Sequence, residues 1–311
     1  MLAYLLRRLT FAAMLVLTVS SGALVLARLA PGDYVTMTLG SQAGGERGQR
    51  MRAQYGLNRS IPSQYRDWLA HAVRMDFGRS IKYDTPVTGL VRARAANTAI
   101  LAVTALAAAT CIGLPLGIVT GSRRGGALVH GIRAVSLGLL SLPPLLTSLV
   151  LVMLAARTTW LPVGGMGSEP GDLASHLIVP ATALALPIAA MFERLQSRAM
   201  AEVVGQPYVL AALARGVPRW RIVWRDALKA ALRPSAALYG LVIGALLSGS
   251  FSVEIVTSWP GLGRLMLDAL QARDVYLVAG CAAAGSVFLV LGTIVSDAAL
   301  AAIDPRAREG T

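Results

Sequence analysis

The most constraining feature of this sequence is a series of six apolar segments of membrane-spanning or near-spanning length. A hydrocarbon core about 30 Å thick is crossed by about 20 helical residues. Hydrophobic residues make up 55% of the 311 residues and charged residues 14%, with a mean hydropathy of +0.60. These values exclude a soluble domain of this size and predict an all-α polytopic membrane protein. The predicted spans are residues 9–29, 97–121, 132–156, 177–192, 235–256 and 278–302.

Prolines interrupt two of the predicted spans. The third contains Pro143-Pro144, which predicts a kink whose free backbone groups are satisfied by neighbouring helices. The fourth is short and carries Pro180 and Pro187, so we expect it to be tilted or broken. Asp297, near the end of the sixth span, is either a functional intramembrane charge or a side chain that pairs with a basic neighbour.

The distribution of basic residues predicts the orientation of the chain. The loop 193–233 contains eight Arg and Lys residues against three acids, and the short turn 122–126 is also basic. Loops of this kind lie on the cytoplasmic side, which places both chain termini there as well. The loop 157–176 has few basic residues and is predicted to be external. The segment 31–96 is basic, but long loops are translocated regardless of charge, so we place it outside.

The loop 193–233 has a helix-turn-helix pattern of its own. Apolar residues in helical spacing fill residues 203–215 and end at Gly216, the residue type that best adopts the left-handed conformation after a helix. Pro218 suits the first turn of a second helix, 219–233. One side of this second helix is shaped to enter a groove on a partner protein, and an amphipathic linker without a partner is the alternative. That apolar side consists of Ile222, Val223, Ala227 and Leu228.

This region resembles the EAA loop of ABC-importer permeases, the cytoplasmic loop that docks on the ATPase. The family pattern is Glu-Ala-Ala, then Gly, then an end that contains Pro. In this chain the first place is taken by Leu210-Ala211-Ala212, the second by Gly216 and the third by Leu232-Arg233-Pro234. Leu210 departs from the acidic consensus, a departure that is usual in the dipeptide/oligopeptide/nickel branch of the family. We call residues 193–234 the coupling loop. The resemblance implies docking through Ala211, Ala212, Gly216, Arg219, Ile222, Arg225, Asp226 and Pro234.

A second motif follows the fifth span, at residues 254–274, here called the Trp-Pro-Gly segment. Its turn residues and the amphipathic stretch after them predict an interfacial re-entrant helix with Trp259 as its membrane anchor. The segment also resembles the most specific signature of the peptide/nickel permease branch, including Arg273 and Asp274. The resemblance implies a role at the periplasmic gate or on the side of the binding protein. The residues expected there are Glu254, Trp259, Pro260, Gly261, Gly263, Arg264 and Asp268.

Shorter matches to the same branch lie at the two ends of the first span and in the external segment. They begin at Leu2, at Leu29 and at Tyr55. Helical spacing of apolar residues also predicts a short surface helix over 61–73. Together these features predict three regions in the chain. They are an anchor helix at 1–30, a periplasmic loop region at 31–96 and a permease core at 97–311 that includes the coupling loop.

The resemblance covers nearly the whole chain and implies the fold of a type I ABC importer permease in the bacterial inner membrane. It implies a pathway-forming subunit for peptides or a related solute, with Pro143-Pro144 near the pathway. The implied partners are a homologous second permease, two ATP-binding subunits, an extracytoplasmic substrate-binding protein and membrane lipid. Nickel or glutathione is the alternative cargo of the same architecture.

ATP hydrolysis is not expected on this chain. A phosphate-binding loop needs Gly-Lys-Ser/Thr, and the two lysines, Lys82 and Lys229, follow Ile81 and Leu228. ATP and Mg²⁺ are therefore expected on partner subunits, and no cofactor is expected here. The scattered histidines and the cysteines inside apolar runs predict neither a metal site nor a disulfide.

Three other classes of protein fit the residues less well. The net charge of this chain is +13. A nucleic-acid-binding protein with such a charge would also have a basic stripe and stacking aromatics, which the sequence lacks. A secondary transporter driven by an ion gradient would have several charges in mid-span and inverted repeats. An intramembrane enzyme would have a Ser-His pair or clustered metal ligands within its spans.

Overall fold

The computed structural model describes residues 2–123, 125–167 and 171–303. Five of its helices are long and apolar enough to cross a membrane, and the count rises to six when one bent helix pair is taken as a single span. An all-helical membrane protein is confirmed. The predicted cytoplasmic C-terminus and the Asp297 side chain lie outside the part that the structure describes.

The helices are α1 Leu2–Leu29, α2 Tyr34–Leu39, α3 Glu46–Gln54, α4 Ile61–Ala72, α5 Val87–Ser122, α6 Ala127–Leu140, α7 Pro144–Thr158, α8 Asp172–Val204, α9 Pro207–Ala214, α10 Arg219–Arg221, a π-helix Ile222–Ala227, α11 Leu228–Ala231, α12 Arg233–Ala237, α13 Tyr239–Val256, α14 Leu262–Gln271 and α15 Val275–Ile303.

The chain forms two compact units. The first comprises residues up to Ala99 together with Pro260–Val290, and the second comprises Ile100–Trp259 and the residues from Leu291 onward. The first unit therefore combines the predicted anchor and the predicted external region with a later part of the chain. Its helix α4 confirms the short helix predicted over 61–73.

The core of the first unit is formed by apolar side chains from α1, α4, α14 and α15. Leu24, Trp68, Phe77, Leu262 and Leu277 are among its buried members. The Trp68 ring packs against the rings of Phe77 and Tyr65, at centroid distances of 6.4 and 6.2 Å. Aromatic burial of this kind is a major stabilising contribution, so α4 is fixed to the long apolar helices of this unit.

The second unit is organised by close packing of α5 against α8. Glycines at 113, 117 and 121 recur every four residues on one side of α5, where a Cβ atom would have no room. A Cβ on Gly117, for example, would lie 2.6 Å from Cβ of Gln196 and 2.7 Å from the Glu193 carbonyl oxygen. Small residues at this spacing let membrane helices approach closely, because van der Waals packing drives their association.

The kink predicted in the third span is confirmed, whereas the break expected as one alternative in the fourth span is not found. The third predicted span is two helices, α6 and α7, bent by 105° at Pro143-Pro144, where Pro143 is extended and Pro144 begins α7. The fourth is not broken: α8 runs through Pro180 and Pro187 without interruption. Neighbouring helices bury the apolar face of α8 around both prolines, which stabilises a helix despite its missing backbone donors.

Helix α5 also differs from its prediction, since it begins at Val87, ten residues before the predicted span at 97. Its first turns include Arg92 and Arg94, of which Arg92 is exposed. The helix thus begins directly after Pro86, and Gly89 within its first turn does not interrupt it. Hydropathy marks the apolar part of a helix rather than its ends.

Candidate functional site

The coupling loop begins inside α8 and turns back at Gly216. Helix α9 ends at Ala214, and Gly216 has a φ of +80°, as predicted for a left-handed residue after a helix. The Gly216 amide donates to the Leu213 carbonyl and the Val217 amide to the Ala212 carbonyl, which closes the turn. Pro218 is extended, and α10 starts directly after it. The predicted helix-turn-helix is confirmed.

The apolar side of the second helix lies inside the chain, which corrects the predicted docking contact. Ile222 is 2% exposed and Val223 and Ala227 are also buried, in a cluster that includes Ile118 of α5 and Met200 of α8. These side chains close the loop onto the ends of two membrane helices. Ile222 is therefore not available to a partner protein.

The outward side of the coupling loop carries aromatic residues that the sequence interpretation missed. Trp220 and Trp224 are 69% and 52% exposed, and they lie four residues apart on the same side of the helix. Tyr208 and Leu210 on the first helix are about half exposed. The sequence did contain a signal for this exposed aromatic surface, namely two tryptophans four residues apart within a basic loop. Exposed residues of the predicted docking set are Ala211, Gly216, Arg219, Arg225, Asp226 and Pro234, while Ala212 is partly buried.

Arg219 has a second role within the second unit. Its Nη2 donates to the Ser122 carbonyl oxygen at 3.0 Å, at the C-terminal end of α5. A guanidinium at this position also neutralises the partial negative charge of the helix end. Arg219 therefore ties the loop to α5 while part of its side chain remains exposed.

A layer of polar side chains lies beneath the coupling loop, and the sequence interpretation did not find it. Thr120 Oγ1 donates to Glu193 Oε1 at 2.6 Å, and Ser235 Oγ donates to Gln196 Oε1 at 2.7 Å. Arg133 Nη2 donates to the Thr120 carbonyl at 3.0 Å. Glu193 and Gln196 are almost fully buried. These five residues, the polar layer, connect α5, α6, α8 and α12, which together surround the loop.

The first part of the Trp-Pro-Gly segment belongs to the second unit and is buried. Glu254 and Trp259 have no exposed surface, and Trp259 packs in a cluster with Leu101 and Leu246. The prediction that Trp259 is an interfacial anchor is wrong, because the indole ring fills the core of this unit. The Gly165 amide donates to the Thr257 carbonyl at 2.9 Å, which fixes the preceding turn.

The second part of the segment belongs to the first unit and is contacted by side chains of α5 and of the loop that precedes α5. Asn97 Nδ2 donates to the Pro260 carbonyl and the Leu262 amide donates to Thr98 Oγ1, both at 2.8 Å. Gly261 and Gly263 are buried, and Arg264 is partly buried. Asp268 lies 3.9 Å from Lys82 Nζ and is partly exposed. The contacts at Pro260 and Leu262 hold the start of α14 in place.

Asp274 is the most enclosed acid of this unit. Its Oδ2 accepts from Ser80 Oγ at 2.6 Å and from the Lys82 amide at 3.1 Å, and its Oδ1 accepts from the Leu277 amide at 3.2 Å. The side chain has no exposed surface. Asp274 therefore caps α15 and binds the turn at Ser80 to it at the same time.

The segment that follows α1 is fixed by an ion pair between Asp33 and Arg52. Asp33 Oδ2 lies 2.6 Å from Arg52 Nε, and Asp33 also caps α2 by accepting from the Thr36 amide. Burial raises the pKa of Asp33, but the hydrogen bonds from Arg52 and Thr36 outweigh it and hold that pKa well below its usual range. The carboxylate remains charged across the physiological range.

Sequence profiles and known relatives match the chain over nearly its whole length. A profile described as "binding-protein-dependent transport system inner membrane component" matches residues 113–309, and the N-terminal profile of the same transport systems matches 1–104. The chain belongs to this family. The permease is therefore a multi-pass inner membrane protein and the transmembrane component of an ABC system, without an ATPase domain. A component of this kind implies an ATPase and a binding protein as partners.

Three relatives indicate the branch of the family to which the permease is similar. The oligopeptide transport system permease protein AppB of Bacillus subtilis (strain 168) is 32% identical over 313 residues, covering 98% of this chain and 99% of AppB. The dipeptide transport system permease protein DppB of Escherichia coli (strain K12) is 29% identical over an alignment of 336 residues, covering 99% of both chains. The oligopeptide transport system permease protein OppB of Mycobacterium bovis is 31% identical, covering 81% of this chain.

Proposed function

We propose that this permease forms the translocation pathway for dipeptides or oligopeptides. The support is full-length similarity to relatives whose names state dipeptide or oligopeptide transport. Nickel or glutathione remains the alternative cargo. The proposed assembly contains a second permease of the same fold, two ATP-binding subunits at the coupling loop and an extracytoplasmic binding protein on the opposite face. Both termini are cytoplasmic, and ATP and Mg²⁺ bind the ATPase subunits.

The observation that carries the docking proposal is the two-sided character of the coupling loop. Its inner side is buried against α5 and α8 through Ile222 and its neighbours, while Trp220 and Trp224 point outward. Exposed tryptophans next to arginines are the residue types that dominate protein interfaces. The loop therefore offers an ATPase subunit an aromatic surface on a base that is fixed to the permease.

The loop is also built to transmit movement into the membrane. Helix α8 continues without a break from its apolar part to Val204, so the first part of the coupling loop is a rigid extension of a membrane helix. The polar layer joins this extension to α5, α6 and α12 by hydrogen bonds. When ATP draws the ATPase subunits together, the loop and the four helices move as one element, which is a rigid-body mode of switching.

Reconstitution of the whole transporter tests this proposal. We expect the double variant Trp220→Ala/Trp224→Ala to bind the ATPase subunits at least about thirtyfold more weakly, the loss typical of interface tryptophans. ATP-driven uptake of a labelled dipeptide into proteoliposomes should fall accordingly. Trp160, 87% exposed and outside the coupling loop, provides the matched control, and Trp160→Ala should leave binding and uptake unchanged.

Three outcomes would contradict parts of the proposal. Unchanged ATPase binding by the double variant would show that docking uses another surface. Uptake driven by a proton gradient without ATP would place the permease among secondary transporters. Uptake of a nickel chelate or glutathione in preference to dipeptides would leave docking intact and reject the peptide substrate.

A further inference from the structure

Three arginines surround a cavity between α6 and α8, beside the polar layer. The cavity has a volume of about 310 Å³ and is lined by Arg133, Arg194, Arg198 and Ser197, among others. Arg194 and Arg198 are one helical turn apart on α8, so their side chains leave the helix on the same side. Both are exposed. The cavity is therefore rimmed by guanidinium groups that can reach a common ligand.

The charge of this cavity is unbalanced. Among the described residues, none of the three arginines forms a salt bridge. Glu193 is the acid in the lining, and it is 2% exposed and accepts a hydrogen bond from Thr120. Arg133 is already oriented by its bond to the Thr120 carbonyl and lies 3.5 Å from Ser197 Oγ. Three positive charges thus face one enclosed negative charge, which favours an anionic ligand.

An apolar cavity adjoins the basic one. Its volume is about 630 Å³, and its walls include Ile112 of α5, Leu128 and Val135 of α6 and Leu186 of α8. Leu128 and Val135 are more than half exposed. Ser136 and Glu193 line both cavities, so the two meet there. The neighbouring surface of the basic site is thus suited to a hydrocarbon chain and not to water.

We propose that the two cavities form a specific site for one anionic phospholipid. Its phosphate binds Arg133, Arg194 and Arg198, and an acyl chain occupies the apolar cavity. Guanidinium groups bind phosphate oxygens with strong, charge-assisted hydrogen bonds. Basic pockets between membrane helices recognise anionic head groups in this way. A soluble phosphate would use the arginines alone, whereas a phospholipid uses both cavities. The bound lipid would lie directly beside the polar layer that supports the coupling loop.

Native mass spectrometry of the assembled transporter tests this site. Complexes are purified, stripped of lipid and titrated with phosphatidylglycerol or with phosphatidylcholine of the same chain length. We expect one phosphatidylglycerol to bind tightly per permease chain, and phosphatidylcholine not to replace it. Arg194→Gln/Arg198→Gln should weaken that binding about thirtyfold, because each arginine contributes roughly 1 kcal/mol to an anionic lipid contact. These exposed side chains make no hydrogen bonds in the described structure, so the variant should fold normally.

The matched control changes two exposed arginines outside both cavities. Arg66→Gln/Arg74→Gln removes the same charge and should leave phosphatidylglycerol binding unchanged. Equal binding by the Arg194/Arg198 variant and the wild type would overturn the proposal, as would displacement of the lipid by inorganic phosphate. Cross-linking from position 128 or 137 to the second permease subunit would also overturn it, because a protein surface would then cover the site.

Discussion

The coupling loop and the Trp-Pro-Gly segment carry the two clearest motifs of the chain, yet they use their motif residues in opposite ways. In the coupling loop, Trp220 is 69% exposed and most of the predicted docking residues reach the surface. In the Trp-Pro-Gly segment, Trp259 and Glu254 have no exposed surface. A motif can therefore mark either a surface kept for a partner or a set of contacts that builds the fold.

The difference follows from the hydrogen bonds of the two regions. In the Trp-Pro-Gly segment, backbone groups at Pro260 and Leu262 are bound by side chains from α5, and Asp274 is bound by the turn at Ser80. In the coupling loop, the bonds described above lie at Arg219 and in the polar layer, while Trp220 and Trp224 are exposed. We infer that the segment positions α14 and α15, whereas the loop presents a surface.

The strongest test of this comparison exchanges the two tryptophans for alanine. Trp259→Ala leaves a large cavity in a packed core and should lower the free energy of unfolding by about 3–5 kcal/mol. Trp220→Ala removes an exposed ring and should change it by less than about 0.5 kcal/mol. The melting temperature of each variant, taken as the temperature at which detergent-solubilised protein ceases to be monodisperse, compares the two effects. Equal melting temperatures for the two variants would remove the proposed distinction.

Local features of the fold were predictable from the sequence. The apolar segments, the left-handed turn at Gly216 and the helix α4 depend on residue types within a few positions of one another. The bend at Pro143 was predicted as a kink, but the uninterrupted helix at Pro187 did not follow from such local rules. One proline pair breaks a span by 105° and two single prolines do not interrupt α8, because the packing around each helix decides whether the missing hydrogen bonds are tolerated.

The sequence predicted where the two sites lie along the chain, but it did not predict which side chains of each site are exposed. The resemblance located both segments, and helical spacing identified Ile222 as part of an apolar side. That side packs in a cluster with Ile118 and Met200 of the same chain. These residues are distant in sequence, so the local pattern could not predict the contact. The polar layer was missed for the same reason, since Thr120 and Glu193 are 73 residues apart and meet only through the close packing of α5 on α8.

A second test compares two acids of the Trp-Pro-Gly segment. Asp274→Asn replaces one of two carboxylate oxygens, both of which accept hydrogen bonds, with an amide nitrogen that can only donate. The loss should be about 1.5–3 kcal/mol, the range for hydrogen bonds to a charged group. Asp268→Asn weakens a partly exposed contact at 3.9 Å and should cost less than about 1 kcal/mol. Hydrogen exchange of the Lys82 and Tyr83 amides reports both, and faster exchange in Asp268→Asn than in Asp274→Asn would contradict the expected order.

Of the three changes expected to lower stability clearly, Trp259→Ala, Asp274→Asn and Gly216→Val, the last should have the smallest effect, and its main consequence should appear in coupling. Apart from its chain neighbours, no described residue has an atom within 4 Å of a Cβ placed at Gly216, so Gly216→Val is penalised by its positive φ, at about 1–2 kcal/mol. Gly205 has a φ of −79°, and Gly205→Ala is the matched control. A distorted turn would reorient Trp220 relative to Ile222, and the number of dipeptides taken up per ATP hydrolysed should fall in Gly216→Val alone. If that ratio stayed at the wild-type value while the turn was distorted, the loop would only attach the ATPase to the permease. The movement would then have to be transmitted to the membrane helices by another contact.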